Sequence, residues 1–182
     1  MLALVAVALA NADGRAGRFL SDLLMRRGDR RAIVIAFFGA FLLNAVVAAM
    51  MGALANRHIG QGPIALFAAL ALVSAAALLL WNRAPDAATD ARDAAPTALM
   101  GRWSLVGFAS SDYFLISALA ATSGAGAWAA AGGTIGWLLA LLPFLAFGPE
   151  LALRPAARIL RYASAAILAL WGIRTAMGAF GL

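Results

Sequence analysis

Two carboxylates stand inside apolar runs of this chain. Asp13 follows "MLALVAVALANA" and precedes Gly14 and Arg15, and Asp112 sits within "GRWSLVGFASSDYFLISALAA". A charged side chain in a membrane span costs about 2.5 kcal/mol or more, so such groups face a cavity or a partner. Asn11, Ser110, Ser111 and the more distant Asn44 offer neutral oxygens that could join them. Hard divalent cations take six or more oxygen ligands, with carboxylates supplying the charge. Asp13 and Asp112 are therefore the candidate metal ligands, and Asn11, Asn44, Ser110 and Ser111 complete a candidate ion-binding set. Burial disfavours the charged form of a carboxylate, so a proton and a cation would compete for the same oxygens.

Arg15 complicates that chemistry. Opposite charges ~4 Å apart at an effective dielectric near 20 interact by about 4 kcal/mol. Facing Asp13 or Asp112, Arg15 would compensate one negative charge. It could thereby abolish divalent binding, form a standing ion pair, or hold an anion. Plainer roles exist for the other polar and small residues. Asn44 could hydrogen-bond between helices, and Gly132, Gly133 and Gly136 could let helices approach closely. Arg18 and Asp22 have the spacing of a helical ion pair. Trp81, Trp103 and Trp171 suit anchoring at a membrane interface, and His58 suits a surface loop. Enzyme chemistry is not expected. Ser110 and Ser111 have no His near them in an apolar span, the chain has a single His and no Cys, and no nucleophile-base set emerges. No cofactor is expected either.

The elements that position these residues are set by composition. Of 182 residues, 64% are hydrophobic and 12% charged, against roughly half and a quarter in soluble domains. This is an integral membrane composition, and the lipid bilayer is the first partner it implies. The basic residues are all Arg, which suggests a GC-rich bacterial genome and the cytoplasmic (inner) membrane. The net charge of +6 reads as positive loops rather than as nucleic-acid binding. A spanning helix needs roughly 20 apolar residues. Residues 32–54, 64–81, 125–147 and 159–180 qualify, residues 98–121 qualify if Arg102 and Asp112 are tolerated, and residues 2–25 are the sixth candidate.

The polar stretch "NRAPDAATDARDAAPT" divides the chain. The expected organisation is a first three-helix repeat at 1–82, a polar linker at 83–97 and a second three-helix repeat at 98–182. Arg26, Arg27, Arg30 and Arg31 crowd the first loop, Arg83 and Arg92 the linker, and Arg154, Arg158 and Arg161 the approach to the last span. The opposite side has Arg57 alone, and "ATSGAGA" has no charge. The positive-inside rule then places loops 26–31, 83–96 and 149–158 in the cytoplasm and both termini outside.

The opening stretch could also be a secretory signal, since "ALANA" has small residues at cleavage positions. No positive segment precedes it, however. The second half supplies a better reading, because "ANAD" aligns with "ASSD". "GAFLLN" then aligns with "GWLLAL", Gly52 with Gly148, and Trp81 and Arg83 with Trp171 and Arg174. An odd number of spans per repeat makes the repeats inverted, an arrangement recurrent in transporters with broken helices and a midplane site. At ~1.5 Å per residue, Asp13 lies roughly 17 Å and Asp112 roughly 20 Å from their helix starts, near the centre of a ~30 Å core. The expected fold is all-α, a polytopic membrane protein of six transmembrane helices in a 3+3 inverted repeat.

In this layout, and in "FFGAFLLNAVVAAMMGALA", "GGTIGWLLALLPFLAFGPELA" and "RILRYASAAILALWGI", the chain resembles the Gdt-type membrane proteins. These are manganese or calcium exporters that exchange the cation for protons, with a Glu-x-Gly-Asp-Lys-Thr signature in the first helix of each repeat. On that resemblance Asp112 takes the Asp position, Ala109 the Glu, Ser111 the Gly, and Tyr113 and Phe114 the Lys-Thr. In the first repeat either Asp13 takes the Asp position with Ala10 at the Glu, or Asn11 takes the Glu place and Arg15 the basic place. Neither repeat keeps its Glu. Asn44 holds the Asn of the second helix, with Leu141 as its repeat partner. The resemblance implies a transporter of manganese or calcium coupled to protons by alternating access. The alternative is a relative that keeps the fold but transports nothing, or an anion or other solute. A small ion and protons are the expected partners, and a homodimer is left open.

Overall fold

In the computed structural model the chain folds into helices, with no strand among the described residues, which are 1–81, 95–148, 150–151 and 154–180. The helices are α1 (Leu2–Ala10), α2 (Arg15–Arg26), α3 (Arg30–His58), α4 (Gln61–Leu80), α5 (Pro96–Gly107), α6 (Ser111–Ser123), α7 (Gly126–Phe147) and α8 (Pro155–Ala179). Four of them, α3, α4, α7 and α8, are long and apolar enough to cross a membrane, and α5 with α6 makes a fifth candidate bent by 59°. The expected linker at 83–97 lies outside the described residues except at 95–97, where Pro96 opens α5. Of the expected loop at 149–158, residues 149 and 152–153 lie outside them too.

The opening stretch is a helix, a break and a second helix. α1 is 9 residues long and α2 12, or about 14 and 18 Å at 1.5 Å per residue, so neither spans alone. α2 is also too polar for a lipid-facing span. It buries Leu20 and Leu23 but carries Arg15, Arg18, Asp22 and Arg26. Arg18 does not take Asp22, contrary to the expectation from spacing. Asp22 pairs instead with Arg26 at 2.8 Å, the orientation with the acid N-terminal to the base, which a helix favours. Arg18 keeps a buried Nε without a hydrogen-bond partner among the described residues. Just beyond α2, Arg27 grips Asp29 through two nitrogens, at 2.9 and 2.7 Å. Hydrogen bonding to that guanidinium holds the Asp29 carboxyl below its ordinary range.

The order of a broken pair followed by two long helices occurs twice. Each broken pair packs on a long helix from the other half: α1 and α2 on α7, α5 and α6 on α3, while α4 and α8 pack on each other. Small residues make these contacts close, as expected where lipid supplies no hydrophobic drive between helices. Gly136 of α7 lies against the Leu4 carbonyl, and Gly133 has room only for Ile116, whose Cδ1 would be 2.6 Å from an added Cβ. Gly172 of α8 would place a Cβ 3.0 Å from the Ala69 carbonyl of α4. Gly14 combines a φ of +67° with direct contact to the Phe144 ring, so both its backbone and its surroundings require glycine.

Candidate functional site

Each break is built by its own polar side chains. Asn11 ends α1, and its Nδ2 donates back to the Val7 carbonyl at 3.0 Å. The Gly14 N–H then donates to the Asn11 carbonyl at 3.0 Å, which turns the chain into α2. In the second break Ser110 caps α6. Its hydroxyl donates to the Gly107 carbonyl at 2.7 Å and accepts from the Tyr113 N–H at 3.2 Å. A serine here satisfies one of the free N–H groups that open a helix. Asp112 follows in the first turn of α6, where the positive end of the helix dipole favours a carboxylate.

The breaks meet. The Asn11 Nδ2 donates to Asp112 Oδ1 at 2.7 Å, joining residues 101 apart in sequence. The second Asp112 oxygen has no hydrogen bond among the described residues. Asn44 approaches from the middle of α3, its amide nitrogen against Gly107. It is 6% exposed, and its Oδ1 is buried with no partner among the described residues.

Asp13 is arranged differently. Its Oδ1 accepts from the Arg15 N–H at 3.1 Å, and its Oδ2 lies 2.5 Å from Arg15 Nε. The same guanidinium donates through one terminal nitrogen to the carbonyls of Leu78 and Trp81, each at 2.7 Å. Arg15 thus neutralises Asp13 and caps the C-terminal end of α4, where unpaired carbonyls favour a cation. Of the two acids singled out in the sequence, Asp112 is the one left without an ionic partner among the described residues.

A cavity of about 430 Å³ opens between the breaks. Asn11, Arg15, Asn44, Ser110, Ser111 and Asp112 all line it, whereas Asp13 does not. Among the described residues no group of three or more His, Asp or Glu side chains could hold a metal. Side chains at the cavity that carry oxygen are Asp112, Asn11, Asn44, Tyr113 and the two serines.

The rest of the lining is apolar and rich in aromatic side chains, and this the sequence reading missed. Phe19, Phe37, Phe41, Trp103 and Trp137 line the cavity. Phe37 and Trp103 meet edge to face with centroids 5.2 Å apart, and Phe41 stacks on Trp137 at 4.0 Å. Trp103, expected as an interfacial anchor, is half-buried and lines this cavity. The spacing of Phe37, Phe41 and Asn44 was the available signal, because those positions share one face of a helix.

The chain matches no protein-family model, no curated protein and no solved structure.

The double role of Arg15 gives a direct test. Arg15→Gln leaves Asp13 without its counter-charge and two α4 carbonyls without a donor. The expected loss of stability is about 2 kcal/mol, in the range for removing one partner of a partly buried charged hydrogen-bond set. Thermal unfolding in detergent should show it. Hydrogen exchange should rise in the last turn of α4 more than elsewhere, and unchanged protection there would contradict the capping role.

Proposed function

We propose that this chain is an integral membrane transporter that moves a cation by alternating access through the cavity between the two breaks, with a proton exchanging at Asp112. In this reading it has six spans in a 3+3 inverted repeat, with α1 and α2 together forming the first. It resides in a bacterial inner membrane with both termini outside. Support comes from the repeated order of a broken pair and two long helices, and from each broken pair packing on the other half. Broken helices that meet at a polar site between inverted repeats are a recurring transporter plan. The observation that carries the reading is the Asn11–Asp112 hydrogen bond, which brings both breaks to the wall of one cavity.

The cavity reaches from Asn44, at the middle of α3, to Leu78 in the last turn of α4. That end of α4 leads into the Arg-bearing linker, which this reading places on the cytoplasmic side. Alternating access then requires the α1–α2 and α5–α6 pairs to rock against α3 and α7, with the Arg15 contact to α4 made or released in the cycle.

Manganese or calcium is the cargo that the resemblance implies. A second reading, transport of another solute or none, is favoured by the Asp13–Arg15 ion pair, which leaves Asp112 as the acid free for a cargo. Manganese and calcium flux into proteoliposomes under an imposed pH gradient separates the two. Proton-coupled flux of either ion supports the first. No flux from folded, monodisperse protein discards the divalent cargo and leaves the second.

A further inference from the structure

We infer that the cavity takes a small ammonium monocation, held between the Asp112 carboxylate and the aromatic wall. This rests on the proposed function only in treating the cavity as the cargo site. The charge on offer is a single unit. Asp112 keeps one oxygen without a hydrogen bond among the described residues, while Arg15 engages Asp13 through Nε and the Leu78 and Trp81 carbonyls through one terminal nitrogen. An anion would meet the Asp112 carboxylate, and the Arg15 charge is already balanced by Asp13.

A bare divalent ion fares poorly for a different reason. It needs six or more oxygens to replace its water, and the rest of the lining is aromatic and aliphatic side chains. An ammonium ion is suited to both walls. It needs a counter-charge and an acceptor for its polar side, and ring faces attract its positive charge within about 6 Å of a centroid. Asn44 lines the cavity, and its Oδ1, buried behind that surface, has no partner among the described residues. A buried carbonyl oxygen without a donor costs stability, and an N–H from a bound ligand would satisfy it. The volume of about 430 Å³ falls within the range of small-molecule sites.

Choline and its uncharged isostere 3,3-dimethylbutan-1-ol are the probes. They share a shape and differ in charge. Binding to the purified full chain in detergent is followed by calorimetry and by tryptophan fluorescence, since Trp103 and Trp137 border the cavity. Choline should bind at least tenfold more tightly than the alcohol. Asp112→Asn and Trp103→Leu should each weaken choline by tenfold or more. Asn44→Leu fills a similar volume without the acceptor, and a several-fold loss for a primary amine probe, propylamine, gives an independent reading should either other variant fail to fold. Equal binding of alcohol and choline would overturn the inference in favour of a merely apolar pocket. Displacement of choline by micromolar manganese, or no choline binding by monodisperse protein, would overturn it as well. Transport is read separately, by choline counterflow in proteoliposomes. Binding without flux keeps the inference and discards alternating access, whereas manganese flux without choline binding does the reverse.

Discussion

Asp112→Asn should abolish proton-coupled cation flux, with a fall of at least about 100-fold, equivalent to about 2.7 kcal/mol at the transport barrier. The substitution is nearly isosteric. Its side-chain oxygen still accepts from Asn11, so the 2.7 Å link between the breaks is retained. What disappears is the negative charge and the proton-binding group. An exchange cycle needs one group that holds the cation in one half and a proton in the other, and an amide does neither. Stability should change by no more than about 1 kcal/mol, the scale of a charge at a helix N-terminus. The measurement compares wild type and variant in the same proteoliposomes, with circular dichroism and gel filtration confirming the fold. Full coupled flux in Asp112→Asn would remove Asp112 from the mechanism. The matching Asp13→Asn should be milder in transport, because Arg15 already neutralises Asp13. Its main effect should be on stability.

Gly52→Val should prevent assembly of the helices around the site. Gly52 of α3 lies directly on the Ser117 carbonyl of α6, and an added Cβ would also stand 2.7 Å from the Ala120 Cβ and 3.0 Å from the Ala121 nitrogen. Two of those three neighbours are backbone atoms, which cannot swing away as a side-chain tip can. α6 would have to separate from α3, and α6 carries Asp112 while α3 carries Asn44. Overpacking of this kind costs roughly 3 kcal/mol or more when the backbone must yield. The expected result is aggregated or poorly expressed protein on gel filtration, with any folded fraction unfolding at clearly lower temperature. Gly62→Ala is the control, since nothing lies within 4 Å of a Cβ at Gly62, and it should fold as wild type does. A monodisperse Gly52→Val with unchanged unfolding temperature would show that α3 and α6 are not held at this distance.

The two substitutions act on different links of one chain of cause. Gly52 sets the distance between α3 and α6, and that distance brings Asn44 beside Gly107 and the second break. Asp112 supplies the charge that the resulting cavity presents.

Much of this architecture follows from local sequence. Long apolar runs place α3, α4, α7 and α8, because a helix satisfies its own backbone groups and apolar side chains suit lipid whatever their neighbours are. The breaks were legible too. Asn11, Asp13 and Gly14 interrupt one apolar run and Ser110 with Asp112 the other, and such residues end or cap helices by bonding to their own backbone. Asn11, Asn44, Ser110, Ser111 and Asp112 were legible as site candidates, because polar groups in apolar surroundings require a partner or a cavity. Only the tertiary structure decided between the two acids. Arg15 could serve either by spacing, and its choice of Asp13 depends on how the chain turns at Gly14 and where α4 ends. The Asn11–Asp112 bond, the half-burial of Trp103 against Phe19 and Phe37, and the aromatic side chains at the cavity are likewise tertiary facts. Helical periodicity states which residues share a face. Which other face that one meets is set by the close packing of small residues such as Gly52 and Gly136, whose contacts lie far away in sequence.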